Sequence, residues 1–251
     1  MKVVSDLMSS TPSVGIDDYL TKARKILREE NIREIYIQDA RNALVGYLDI
    51  TDVLRITDTK SNITVKGFCK DAAAVLADAS LEEAAREIHR TGTDSAAVTG
   101  DHNEVLGAIL LSDIFPVLIE RHDLRGTVGE FMKKAVICQP EDDLQKIYTL
   151  VIENGYRAFT IEKDNVLFGV VSRSDILRHG RVRKSLGAVS ATTPVERIMS
   201  TPAIAAYMED SISDAAKVLV KHDIGMLPVV NSDGRVLGVL SRQEVLNSFF
   251  Q

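Results

Sequence analysis

The sequence predicts an α/β chain built from four tandem repeats, each running strand, helix, strand, strand, helix. Three observations predict it. One frame recurs as Gly46-Tyr47-Leu48-Asp49-Ile50-Thr51-Asp52, Gly107-Ala108-Ile109-Leu110-Leu111-Ser112-Asp113, Gly169-Val170-Val171-Ser172-Arg173-Ser174-Asp175 and Gly238-Val239-Leu240-Ser241-Arg242-Gln243-Glu244. Its glycines stand 61, 62 and 69 residues apart, a period longer than the short solenoid repeats and suited to a small α/β unit. Each frame also follows the same context of helix, short strand and turn.

In chain order, helices are predicted over residues 18–30, 81–90, 144–154 and 212–222. In the first, Leu20, Ala23, Ile26 and Leu27 recur at helical spacing and define a core face. Short strands follow, clearest in Arg157-Ala158-Phe159-Thr160-Ile161 and Leu227-Pro228-Val229-Val230, whereas Ala96-Ala97-Val98 lacks bulk. Asn231-Ser232-Asp233-Gly234 reads as a turn into the last strand. The frame itself is an apolar strand ending on a polar residue, with a carboxylate three positions on that opens a helix. Locally, Ser172 or Ser174 would satisfy helix-start N–H groups, and the acid would sit on the positive end of the helix dipole.

Composition narrows the function classes. A chain of 251 residues with 45% hydrophobic content can bury real cores, and its formal charge of −6 argues against a general nucleic-acid binder. No run of about eighteen apolar residues and no secretory leader pattern are visible, so a soluble cytoplasmic protein without membrane association is expected. Cys69 and Cys138 form no disulfide framework and are expected as core thiols. The histidines are scattered without HExxH or CxxC partners, and no Walker loop is present, so no enzyme activity is expected. Asp101-His102-Asn103-Glu104 holds metal-capable side chains but reads as a solvated turn.

The order Val195-Glu196-Arg197-Ile198-Met199-Ser200-Thr201-Pro202, then a helix, then Leu227-Pro228-Val229-Val230 and Gly238-Val239-Leu240-Ser241, resembles the cystathionine beta-synthase (CBS) domain. Val4-Ser5-Asp6-Leu7-Met8-Ser9 and Val128-Gly129-Glu130-Phe131-Met132-Lys133 begin repeats in the same way. The resemblance implies two paired modules. The first covers residues 1–122, with repeats over 1–57 and 58–122. The second covers 123–251, with repeats over 123–180 and 193–251 joined by a linker over 181–192. In the family, two repeats pack about a pseudo-twofold axis that leaves two clefts, and two pairs often form a disc. Here that disc would be built within one chain or by a homodimer.

The resemblance also implies a ligand: AMP, ADP or ATP, with S-adenosylmethionine or NAD as further members of the set, and no obligatory cofactor or metal. In the family the frame's hydroxyl contacts phosphate and its final Asp binds the ribose hydroxyls. Ser172 and Asp175 fill both positions in repeat 3. Arg157, two residues before Phe159, which is aligned with Pro228 of repeat 4, matches a position where family members carry a phosphate-binding basic residue, and Arg173 is a further candidate beside it. In repeat 4, Thr201, Pro202 and Ala203 would line the base pocket, while Ser241 matches the hydroxyl and Glu244 replaces the Asp. Repeats 1 and 2 match only at Asp52 and Asp113. Asp49 and Leu110 occupy their hydroxyl positions, and Asp49 beside a phosphate would be repulsive, favouring a structural junction there. The basic segment over residues 178–185 reads as solvated linker, or as an arm over the phosphates. The function implied is a non-catalytic sensor that signals to a regulated protein partner. The alternatives are a ligand-free scaffold or dimerisation module and, as an enzyme, inosine monophosphate dehydrogenase, for whose barrel the chain has no span.

Overall fold

In the first repeat, Leu20, Ala23 and Leu27 recur at the spacing that puts them on one helix face, and helix α1 (Leu20–Glu29) buries all three. Arg24 is buried beside them because its guanidinium donates to the Ile56 carbonyl at 2.6 Å, whereas Ile26 is only half-buried. The computed structural model describes residues 2–56, 61–122, 124–179 and 193–250. The predicted linker 181–192, and the part of the basic segment beyond His179, lie outside the described residues. The chain divides into two compact units, Met1–Asp123 and Leu124–Gln251.

Repeat 1 continues with β1 (Ser13–Gly15) ahead of α1, then β2 (Glu34–Gln38), β3 (Leu44–Asp49) and α2 (Ile50–Leu54). Repeat 2 contains β4 (Ala74–Leu76), α3 (Leu81–Thr91), β5 (Ser95–Thr99), β6 (Val105–Leu110) and α4 (Leu111–Arg121). Repeat 3 opens on a single helical turn, α5 (Val128–Phe131), followed by β7 (Ile137–Cys138), α6 (Leu144–Asn154), β8 (Ala158–Lys163), β9 (Val166–Ser172) and α7 (Arg173–Arg178). Repeat 4 contains β10 (Ala206–Tyr207), α8 (Ile212–Lys221), β11 (Met226–Val230), β12 (Val236–Ser241) and α9 (Arg242–Phe249). The order is the one the periodicity predicts. Helix boundaries are set by local chemistry: Ser80 and Glu83 form a reciprocal cap at the start of α3, and Gly92, at φ +66°, ends it in the left-handed conformation.

Each repeat folds its three strands into one small sheet, the first strand parallel to the second and the second antiparallel to the third. Cross-strand register therefore equates the repeats position by position. Glu34, Ser95, Ala158 and Met226 face Asp49, Leu110, Ser172 and Ser241, respectively. One step further along, β2 and β3 pair Ile35 with Leu48, and then Tyr36 with Tyr47; the latter level in repeat 2 is Ala97 with Ala108. These four side chains form one buried cluster, so the missing bulk of Ala96-Ala97-Val98 is the space that the tyrosines of repeat 1 fill. Of the two thiols, Cys138 is buried as expected and burial pushes it up to about 11, whereas Cys69 is only partly buried.

Repeats within a unit are joined by exchange of their opening segments. Ser9 of repeat 1 pairs with Ala108 of repeat 2, and Lys70 of repeat 2 pairs with Tyr47 of repeat 1. Lys133 of repeat 3 pairs with Val239 of repeat 4, and Ser200 of repeat 4 with Val170 of repeat 3. The recurring glycine is explained here. A Cβ built on Gly46, Gly107, Gly169 or Gly238 would lie 2.4, 2.5, 2.8 or 2.6 Å from the carbonyl oxygen of Lys70, Ser9, Ser200 or Lys133. The crossing strand can approach that closely only where no side chain begins.

Candidate functional site

The candidate site is the junction between the third strand of a repeat and its last helix, completed by the opening segment of the partner repeat. In repeat 3, Ser172 ends β9 and caps α7. Its N–H and hydroxyl donate to Asp175 Oδ2 at 2.8 and 2.7 Å, and its Oγ accepts the Asp175 N–H at 3.3 Å. The hydroxyl and the carboxylate that the sequence singled out are thus one another's partners. A phosphate would have to take over the Ser172 O–H, releasing carboxylate lone pairs for hydroxyl donors.

Arg157 lies at the foot of this junction, exposed, and its carbonyl accepts the Arg173 N–H at 3.0 Å. The register corrects its alignment: Thr160 faces Val170 as Pro228 faces Val239, so Thr160, not Phe159, is the counterpart of Pro228. Arg157 is then equivalent to Gly225 and Asp94, whose carbonyls receive the matching N–H groups of Arg242 and Leu111. By the same register, Arg33 precedes Glu34 at this position in repeat 1, a basic residue that the one-residue slip concealed.

Arg173 opens helix α7. It is 4% exposed, packed inside the first turn of α7 rather than presented to solvent. Its counterpart Arg242, 2% exposed, donates to the Ile224 carbonyl at 3.0 Å and to Asp223 at 2.8 Å, tying the loop after α8 to the start of α9. Arg242 is thus a structural tie.

Thr201, Pro202 and Ala203 are regrouped. Sequence order places them with Ser241 and Glu244 of repeat 4, but the exchanged segment that carries them crosses repeat 3, where Ser200 pairs with Val170 and Thr201 Oγ1 donates to the Phe168 carbonyl at 2.8 Å. The predicted residues therefore divide between two places. Arg157, Ser172, Asp175 and the Thr201 segment belong to one; Ser241 and Glu244 belong to the other.

At that second place, Ser241 caps α9, its N–H donates to Glu244 Oε2 at 3.0 Å, and its hydroxyl is also bonded to that oxygen. Lys133, brought by the opening segment of repeat 3, sits 2.7 Å from Glu244 Oε1. Burial works to raise the Glu244 carboxyl, but the bonds from Lys133 and Ser241 outweigh it and hold the group below the usual range.

Repeat 1 carries the same device more heavily. Asp49 caps α2 by accepting the Asp52 N–H at 3.2 Å while its own N–H donates to Asp52 at 2.8 Å, the structural role expected for it. Lys70 lies 2.6 Å from Asp52 and 3.4 Å from Asp49, with its ammonium 4.7 Å from the centre of the Tyr47 ring. Burial and then the Asp49 charge raise Asp52 above its ordinary value against the pull of Lys70, and Lys70 is itself raised because its two acids outweigh its burial. In repeat 2, Leu110 caps α4 without a side-chain bond and Asp113 is half-buried. Equivalent register puts Lys70, Lys133, Ser9 and Ser200 at one position, so each unit presents one junction holding a lysine and one holding a serine. Sequence reasoning missed both lysines because each acts on the repeat beside its own. The signal was present in the aligned repeat starts, where Met132-Lys133 stands against Met8-Ser9 and Met199-Ser200.

No group of three metal-capable side chains and no helix long and apolar enough to cross a membrane occur among the described residues. Four α/β repeats, paired through exchanged opening segments with an acid in the first helical turn of each junction, define a tandem-repeat α/β protein. The CBS domain model matches residues 4–58, 65–120, 128–181 and 195–250, and the chain belongs to that family. Protein MJ1225 of Methanocaldococcus jannaschii is 24% identical over 180 residues, covering 68% of this chain and 64% of that protein. MJ1404 of the same organism is 24% identical over 260 residues, covering 97% of this chain and 60% of its own length. The chain thus spans somewhat less than two thirds of these relatives. The solved structure of MJ1225 superposes with a TM-score of 0.82 at 20% identity, covering 99% of this chain and 100% of that one. An uncharacterized conserved protein from Pyrococcus horikoshii superposes at 0.67 and 16% identity, covering 99% and 100%. At these identities the likeness establishes the shared fold.

Proposed function

We propose that the protein is a non-catalytic sensor that holds an adenine nucleotide or adenosyl ligand at the repeat 3 junction and reports its presence to a protein partner. The observation that carries this reading is the character of that junction. Ser172 and Asp175 supply a hydroxyl and a carboxylate in one reciprocal cap, Arg157 stands at its foot, and the position occupied by Lys70 or Lys133 elsewhere is Ser200. Asp175 is the acceptor suited to a ribose diol, and Arg157 offers a planar fork to phosphate oxygens. Family membership supports the ligand class.

Binding exchanges the Ser172–Asp175 bond for bonds to the ligand, and the Thr201 segment ties this event to repeat 4. A partner reads the change only to the extent that the ligand prefers one arrangement of the repeats. A ligand-free scaffold is the competing reading, and ligand-dependent unfolding separates the two. AMP, ADP, ATP, S-adenosylmethionine and NAD are screened by thermal shift. A ligand at 100 times its dissociation constant adds about 2.7 kcal/mol if it binds only the folded chain. Asp175→Ala abolishes most of the shift and Asp52→Ala leaves it nearly intact. Equal losses, or no shift with any ligand, would refute the assignment.

A further inference from the structure

The two lysines at equivalent positions differ in how firmly they are held. Lys70 is gripped by two carboxylates and a tyrosine ring, and its side chain is 38% exposed. Lys133 reaches a single carboxylate from a side chain that is 67% exposed, while the Glu244 side chain beneath it is only 7% exposed. Lys133 is thus a solvated arm whose tip neutralises a buried acid. The Glu244 carboxylate divides its oxygens between its neighbours, Oε2 turned back to Ser241 and Oε1 out to the ammonium, whereas Asp52 serves both of its neighbours through Oδ2.

We infer that Lys133 is the charge-reading residue of the repeat 4 junction, which takes phosphorylated nucleosides and discriminates against uncharged or cationic ones. The inference rests on the reading that these junctions hold adenosyl ligands. When ribose hydroxyls occupy Glu244, they donate to the oxygen that Lys133 now holds, and the ammonium turns to the phosphate. The ion pair is exchanged for another of the same kind, so a nucleotide enters without stranding a charge. A neutral nucleoside offers the displaced ammonium nothing, and a sulfonium ligand adds a like charge. Because Lys133 belongs to repeat 3, its movement is felt at the Lys133–Val239 crossing that joins the two repeats.

The test is calorimetric titration of AMP and of adenosine into the full chain carrying Asp175→Ala, with and without Lys133→Met. Lys134→Met, altering the exposed neighbour, serves as control. Charge-assisted bonds of this type carry about 1.5–3 kcal/mol, so Lys133→Met weakens AMP about tenfold or more and adenosine less than about threefold, while Lys134→Met changes neither appreciably. Equal weakening of AMP and adenosine overturns the inference, because a structural role for Lys133 would affect both. Undiminished AMP binding in Lys133→Met overturns it as well. If the Asp175→Ala chain no longer binds AMP while the unaltered chain does, the repeat 4 junction is not a site, and the inference fails while the function at repeat 3 stands. If the unaltered chain binds no AMP, both fall.

Discussion

Lys70 of repeat 2 places its ammonium 2.6 Å from Asp52 of repeat 1, and the same nitrogen lies 3.4 Å from Asp49. Both acids are buried, so Lys70 is their counter-ion and the cross-link between two repeats. Lys70→Met leaves two carboxylates without that charge. Breaking a fully buried pair from one side costs about 3–5 kcal/mol, and the partial exposure of Lys70 reduces this to about 1–3 kcal/mol. Urea unfolding measures the loss, and Asp49→Asn in the Lys70→Met chain restores part of it. A neutral Lys70→Met would mean that solvent already screens the acids.

The glycine of the repeated frame is a packing residue, and that too is testable. A Cβ on Gly107 would meet the Ser9 carbonyl oxygen at 2.5 Å, so Gly107→Ala forces the crossing backbones apart at a cost of about 1–3 kcal/mol. Gly67, where a Cβ would meet nothing within 4 Å, is the control, and Gly67→Ala stays within about 0.5 kcal/mol of the parent. Thermal unfolding that ranks the two alike would show that the segments are not crossed so closely.

Much of the fold was legible because local chemistry repeats. The 3.6-residue pattern of Leu20, Ala23 and Leu27 acts within one element, and a strand ending on Ser172 with an acid three residues on marks the start of a helix that its side chain caps. The site was less legible because it is assembled by exchange. Nothing near Ser172 in sequence indicates that Thr201 will lie against its strand, and nothing near Glu244 points back to Lys133. The direction of Arg173 was open in the sequence for a related reason: nothing local says whether a charged residue between two ligand candidates faces solvent, and only packing reveals that it is buried.

Glu244 sets a pH dependence of definite sign. Its folded-state carboxyl is held below the ordinary 4.5, so the unfolded chain takes up its proton first. The stability it contributes is complete above the ordinary value and is lost as pH falls below it through the depressed folded value. Glu244→Gln removes this titration. The stability difference between parent and variant is therefore flat from pH 7 to about 5.5 and shrinks as the pH drops below about 4.5. Chemical unfolding at stepped pH measures it, and a difference that grows on acidification would reverse the assignment.

The same sheet position carries opposite polar arrangements in the two units. In repeat 1 it is Tyr36, whose hydroxyl lies 2.7 Å from Ser95 Oγ, and Ser95 in turn donates to the buried Glu34 at 2.6 Å. Burial, followed by the Glu34 charge, pushes the Tyr36 hydroxyl well above its ordinary range. In repeat 3 the position is Thr160, fully buried, with no hydrogen-bond partner at its Oγ1. The reason is visible in the register: where unit 1 has Glu34 and Ser95, unit 2 has Ala158 and Met226, which offer its hydroxyl no side-chain acceptor. Thr160→Val keeps the shape and removes an unsatisfied polar atom, so it stabilises the second unit by about 1 kcal/mol. Ser95→Ala does the reverse in the first unit, costing about 1–3 kcal/mol because Glu34 and Tyr36 lose a buried partner together. Unfolding of the two variants beside the parent decides the matter: a Thr160→Val chain less stable than the parent would mean that its hydroxyl is satisfied after all.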